Sequence, residues 1–208
     1  MPRGRHARAL AADYRWAIRM RSARVRSRPA PSSYSEGDRA PVLIVPGVYE
    51  TWHFLRSIAD RLNADGHAIH TVPGLGGNAL PIPESAAIVA RRLDELGLED
   101  AVIVAHSKGG LIGKHTLLDR AAFERVRHIV AVATPFGGSS LARFTLARPL
   151  RAFRVADPVI RALGAERELN ARITSIYPRF DHHIPNGSRL DGAQNLELPV
   201  VGHFRILR

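Results

Sequence analysis

"AVIVAHSKGG", residues 101–110, is an apolar run that ends in a histidine, a serine, a lysine and two glycines. A buried strand that stops at a hydroxyl and passes straight into residues with almost no side chain has two readings. One is a tight turn with no chemical role. The other is a strand-to-helix turn that holds Ser107 in a strained, exposed position from which it can attack a carbonyl. Such a turn needs small residues two positions to either side of the serine, because it brings those backbones together. Ala105 and Gly109 supply them, and Gly110 lets the following helix pack closely. It also puts the N–H of Lys108 at a helix start, on the side of the serine oxygen, where it can stabilise an oxyanion.

The punctuation on either side of this stretch is regular. "PVLIVPG" (41–47) is an apolar, β-branched run closed by Pro46 and Gly47, as expected of a strand buried on both faces. In the next segment Leu55, Ile58, Ala59 and Leu62 recur at helical spacing, and Gly66 is placed to end that helix. A short strand in "HAIHTVPGLGG" and an amphipathic helix from Pro83 to Gly97 lead into strand 101–105 and helix 108–119. "VRHIVAVATP", "ARITSIYP" and "NLELPVVG" read as three further strands. Strands alternating with helices across short loops indicate an α/β fold, a mostly parallel sheet of about six strands covered on both faces. Reacting groups in such sheets gather beyond the carboxyl ends of the strands. Ser107, Pro46–Val48, Thr134–Gly138 and Asp181 all fall there.

Composition narrows the class. The 208 residues are enough for one good-sized core, and 45% hydrophobic with 24% charged residues is the balance of a globular domain. The absence of cysteine excludes disulfides and thiolate chemistry. Lys+Arg 30 against Asp+Glu 19 gives a net charge of +11, but much of it sits in residues 1–28, where Asp13 is the sole acid. We therefore divide the chain into a basic N-terminal helical segment and linker (1–40) and a domain (41–208). Asp13, Arg15 and Arg19 interrupt any signal-peptide core, and no uninterrupted apolar stretch is long enough for a transmembrane helix. The expected location is cytoplasmic. Leu10, Tyr14, Ala17 and Ile18 fall at helical spacing among arginines, which fits either a helix lying on an anionic membrane surface or one packed on the domain. With only Tyr14 and Trp16 as aromatics in this segment and no base-reading motif, nucleic acid is a disfavoured partner.

A nucleophilic serine needs a base, and the base needs an acid to orient it. Asp181 follows the strand "ITSIYP" and His203 follows "LELPVVG", giving the chain order Ser107, Asp181, His203 expected of nucleophile-elbow enzymes. From about residue 41 the chain resembles the lipase and esterase branch of the α/β-hydrolase fold, particularly the compact bacterial lipases. The resemblance rests on "VLIVPGV", "VPGLGGN", "VAHSKGGL", "VAVATPFGGSSLA", "SIYPRFDHHIP" and "LPVVGHFRIL". It implies Ser107 as nucleophile, Asp181 as acid, His203 as base, and the N–H groups of Val48 and Lys108 as oxyanion donors. Three departures stand out. Pro46–Gly47 replaces the usual His-Gly, Ala105 stands where glycine is usual, and the sequence stops five residues after His203 without the expected closing helix.

Around the expected pocket, Tyr49, Phe136, Leu141 and Phe144 are candidates to contact an acyl group. The insert 139–170 fits a lid, with Leu141 and Phe144 on one helical face, Pro149 breaking it and Asp157–Pro158 opening a second short helix; an ordinary crossover fits equally. Adjacent histidines 182 and 183 point to opposite sides of an extended segment and are assigned no metal. "PGLGGN" lacks the Lys-Ser or Lys-Thr pair of a phosphate cradle. The resulting expectation is a cofactor-free serine hydrolase acting on small-molecule or lipid carboxylic esters with apolar acyl groups. An acyltransferase using the same three residues and an inactive hydrolase fold kept for binding are the alternatives.

Overall fold

The central strands are apolar without alternation because both faces of the sheet are covered there. The computed structural model describes residues 11–20 and 31–208. Its strands are β1 (Arg39–Val45), β2 (His67–Thr71), β3 (Ala101–His106), β4 (Val126–Val132), β5 (Ile173–Phe180) and β6 (Gln194–Val201). All six pair in parallel, in the order β2–β1–β3–β4–β5–β6. Helices are α1 (described over 11–20), α2 (Arg56–Ala64), α3 (Ile82–Glu95), α4 (Lys108–Thr116), α5 (Arg120–Arg125), α6 (Arg148–Arg151) and α7 (Pro158–Ala165).

Period-two alternation sorts each strand between two cores. Leu43, Val45, Ile103, Ala105 and Ile129 face Val89 and Leu93 of α3 and Leu111 and Ile112 of α4. Val42, Ile44, Val104 and Val132 face Phe54, Leu55, Ala59 and Leu207, with Ala17 of α1 in the same cluster. Each fully buried aliphatic side chain of this kind stabilises the fold by about 1.5–3 kcal/mol relative to exposure. The chain leaves β1 toward β2 on one side and returns to β3 on the other, so the crevice beyond β1 and β3 is a topological switch point. Val45 is in register with Ala105, which sets Pro46–Gly47 beside His106–Ser107.

Three segments differ from the expectations. The stretch expected as a linker already carries structure: residues 31–34 form a 3-10 turn, and the buried Tyr34 hydroxyl donates to Asp60 Oδ1 at 2.5 Å. Residues 27–30, at the start of that linker, lie outside the described residues. Helix α4 ends at Thr116, and a turn after Leu117 leads into α5, whose N-cap Asp119 accepts from Ala122 N–H at 2.9 Å. In the insert Pro149 starts α6 rather than breaking a helix, because a proline in the first turn loses no intrahelical bond. Asp157 caps α7 through Val159 N–H at 2.9 Å, as its position before proline implies. Helix α1 packs inward through Asp13 and Ala17 and leaves Tyr14 and Ile18 exposed.

Candidate active site

Ser107 sits between β3 and α4 with φ 51° and ψ −119°, in the left-handed region that costs a non-glycine residue about 1–3 kcal/mol. Its N–H donates to the Val132 carbonyl at 2.8 Å, and its own carbonyl accepts from Gly110 N–H at 3.1 Å. The small neighbours are required by contact. A Cβ on Gly109 would overlap the Val45 carbonyl, and one on Gly110 would overlap the Thr134 hydroxyl. As the first residue of α4, Lys108 has a backbone N–H with no intrahelical acceptor.

Asp181 directly follows β5. Its Oδ1 accepts the N–H groups of His183 at 2.8 Å and Ile184 at 3.1 Å, which fixes the carboxylate and aims Oδ2 at the loop after β6. There Oδ2 meets His203 Nδ1 at 2.7 Å, with both side chains buried. Burial works to raise the Asp181 pKa, but the attraction and hydrogen bond of His203 outweigh it and hold the carboxyl below its ordinary value. Occupation of Nδ1 leaves Nε2 as the ring nitrogen available for other partners.

Ser107 and His203 line the same cavity of about 290 Å³. Val48, Tyr49 and Leu141 line it too, with Leu150, Phe153 and Ile184 adding apolar wall. Phe136 and Phe144 are not among its lining residues. Phe136 is buried in the core on the α3–α4 face, and Phe144 is 70% exposed with the Arg143 guanidinium 4.5 Å over its ring. The reason for Phe144 is local: residues 140–144 form a short 3-10 turn rather than an amphipathic helix, so Leu141 and Phe144 share no buried face. His183 also faces the cavity. Burial, then the charges of His203 and His182, push its pKa down to about 3, so it is neutral at ordinary pH. Among the described residues no group of three or more His, Cys, Asp or Glu side chains is arranged to hold a metal ion.

The family model described as the alpha/beta hydrolase fold matches residues 40–173. The chain belongs to the α/β-hydrolase family. RutD of Azorhizobium caulinodans, whose name assigns it provisionally to carbamate hydrolysis, is 31% identical over 148 residues. That match covers 68% of this chain and 52% of the relative, so the α/β-hydrolase chain described here spans about half the length of that relative. The mature Bacillus licheniformis lipase BlEst2 superposes with a TM-score of 0.65 at 15% identity, covering 87% of this chain and 89% of the lipase. Aspergillus fumigatus lipase B gives 0.63 at 18% identity over 86% of this chain and 52% of its own. At these identities the likeness concerns the fold. No helix among the described residues is long and apolar enough to cross a membrane.

Within this α/β-hydrolase several site neighbours escaped the sequence reading. Glu50, buried just past β1, accepts from Gly47 N–H at 2.7 Å and meets His106 Nδ1 at 2.9 Å. The other ring nitrogen of His106, Nε2, lies 3.1 Å from the His203 carbonyl. A carboxylate and a carbonyl only accept, so with Glu50 ionised both nitrogens of His106 donate. Burial opposes a charge on the ring, yet the adjacent Glu50 carboxylate raises the pKa of His106 above its ordinary value. The side chain of Lys108 turns away from the cavity and donates to the Asn78 carbonyl at 2.9 Å, to Asn78 Oδ1 at 3.1 Å and to the Leu80 carbonyl. Burial lowers its pKa to about 8. Asn78 Nδ2 in turn donates to the Pro46 carbonyl at 2.6 Å, so the "PGLGGN" loop braces the turn after β1. Asp13 of α1 accepts three backbone N–H groups from the loop that carries His203. The available signals were a single acid in an arginine-rich segment and a histidine immediately before the elbow serine.

Proposed function

We propose that this chain hydrolyses carboxylic esters with short to medium apolar acyl groups, through a covalent acyl-enzyme on Ser107. The reading rests on one observation above all: His203 is bonded through Nδ1 to Asp181 at 2.7 Å and lines the same cavity as the strained elbow serine. In this mechanism the Nε2 face of His203 takes the proton from Ser107 Oγ as that oxygen attacks the ester carbonyl. Asp181 fixes the tautomer and stabilises the imidazolium that forms. The tetrahedral oxyanion is received by the backbone N–H groups of Val48 and Lys108; one such donor is worth about 3–4 kcal/mol in the transition state. His203 then delivers the proton to the leaving alkoxide, and a water activated by the same imidazole releases the acid.

The cavity supports this substrate class. Its volume of about 290 Å³ and its apolar wall of Leu141, Ala142, Leu150 and Phe153 favour a compact acyl chain. Similarity to hydrolases and lipases supports the reaction type, and the name of RutD makes an aryl carbamate a useful comparison substrate. The test is hydrolysis of nitrophenyl esters of two to twelve acyl carbons alongside a nitrophenyl carbamate. The short and medium esters should turn over fastest, and Ser107→Ala should abolish turnover. Turnover surviving in Ser107→Ala would remove the serine from the mechanism. Faster turnover of the carbamate than of every ester would reassign the substrate.

A further inference from the structure

The loop that supplies His203 is held by a residue 190 positions away in sequence. Asp13 has no solvent exposure. Its Oδ2 accepts from His203 N–H at 3.1 Å, and its Oδ1 accepts from Phe204 N–H at 2.9 Å and Arg205 N–H at 2.8 Å. A buried carboxylate without compensation would cost several kcal/mol. Three consecutive backbone donors provide that compensation, much as a helix N-terminus holds an anion. They open the 3-10 turn Arg205–Leu207, whose first N–H groups would otherwise lack acceptors.

Gly202 is fitted to the same contact. Its φ of 117° suits glycine, and a Cβ there would overlap Asp13 Oδ1. Its N–H donates to the Phe180 carbonyl at 3.0 Å, tying the base loop to the residue before Asp181. Around the same loop, Trp16 of α1 stacks with Phe204 at 6.5 Å and meets Phe54 edge-on at 5.8 Å, while His182 Nε2 lies 3.7 Å from Asp13 Oδ2. His203 is thus gripped at its main-chain N–H by Asp13, at its carbonyl by His106 and at its ring by Asp181.

From these contacts we infer that Asp13 is a positioning residue for the base, and that docking of α1 through it sets the reach of the His203 imidazole toward Ser107. This inference rests on the proposed hydrolase reading. It assigns the arginine-rich segment a part in turnover rather than only in binding a surface. Removing Asp13 frees three adjacent N–H groups and lets the base loop drift by an amount that matters to proton transfer, where a misplacement of about 1 Å can cost about 10²-fold in rate.

The experiment compares full-length wild type with Asp13→Ala and Asp13→Asn, both first checked for native circular dichroism and a cooperative melt. Asp13→Ala should lower kcat on a short nitrophenyl ester about 100-fold with KM changed less than about threefold. Asp13→Asn keeps one acceptor oxygen for Phe204 and Arg205 and should lose only about tenfold. Proton NMR supplies a readout independent of turnover: the downfield resonance of the His203 Nδ1 proton bonded to Asp181 should be sharp in wild type, weakened in Asp13→Asn and lost in Asp13→Ala. Folded variants with kcat within twofold of wild type and an unchanged resonance would overturn the inference. Loss of the native fold in both variants would overturn it as well, by making Asp13 a stability residue. If wild type itself fails to turn over esters, the hydrolase reading falls, and the NMR comparison still decides whether Asp13 orders the loop.

Discussion

The two sides of the site are built by opposite means. The serine side is local: Ser107 is held by a φ of 51°, by glycines at 109 and 110 that admit the Val45 carbonyl and Thr134, and by the in-register ends of β1 and β3. The histidine side is assembled from afar. His203 depends on Asp181 after β5, on His106 at the end of β3 and on Asp13 in α1. A locally built element fails when its backbone conformation is made impossible. A remotely built element fails by degrees, as each support is withdrawn. The serine side should therefore be brittle and the histidine side graded.

Perturbations ordered by size can break that contrast. Among substitutions that leave Ser107 in place, Asp181→Asn should have the largest effect on rate, lowering kcat by about 10⁴-fold while leaving labelling of Ser107 by reactive phosphonates slow but detectable, because the imidazole loses its oriented tautomer. Steady-state kinetics on a short ester measures it. Gly109→Ala tests brittleness: the new methyl meets the carbonyls of Val45 and Pro46, so denaturant unfolding should show a loss of about 3 kcal/mol or more. A fully stable, active Gly109→Ala protein would mean that the elbow tolerates slack.

Glu50→Gln should cost about 3 kcal/mol, since it removes one partner of a buried ion pair. Its pH dependence has a definite sign. The folded pKa of His106 lies above its unfolded value, so the pair's contribution is fully present below the unfolded pKa of about 6.5 and is lost as pH rises through the folded pKa. The stability gap between wild type and Glu50→Gln, followed by urea melts, should be widest below about pH 6.5 and narrow as pH rises above it. Phe144→Ala should change stability by less than about 0.5 kcal/mol, as its ring is 70% exposed and lies outside the cavity lining.

Legibility in the sequence divides along the same line. The sheet could be read because parallel strands buried on both faces leave unbroken β-branched runs such as "PVLIVPG", and α2 and α3 carried their own periodicity and stop signals at Gly66 and Gly97. The elbow could be read because its constraint on small residues acts within a few positions of Ser107. Of the supports of His203, Asp181 could be read from its place after a strand, whereas Asp13 and the Glu50–His106 pair could not. Asp13 lies 190 residues from the N–H it accepts, and Glu50 lies 56 from His106; neither spacing leaves a periodic trace. The insert was misread in detail because Leu141 and Phe144 at i and i+3 satisfy an amphipathic helix and an exposed 3-10 turn alike, and only tertiary packing separates them. Phe136 was placed at the pocket because it follows a strand end, yet it turns into the core.

The account turns on Ser107 taking the acyl group of the ester while a histidine that Asp181 orients removes its proton. Incubation of the folded wild-type chain with a fluorophosphonate, followed by intact-mass and peptide-level mass spectrometry, tests this most directly. One covalent adduct per chain on the peptide bearing Ser107, strongly slowed in His203→Ala, is the result expected. A folded chain that takes no adduct, or takes it on another residue, would contradict the account.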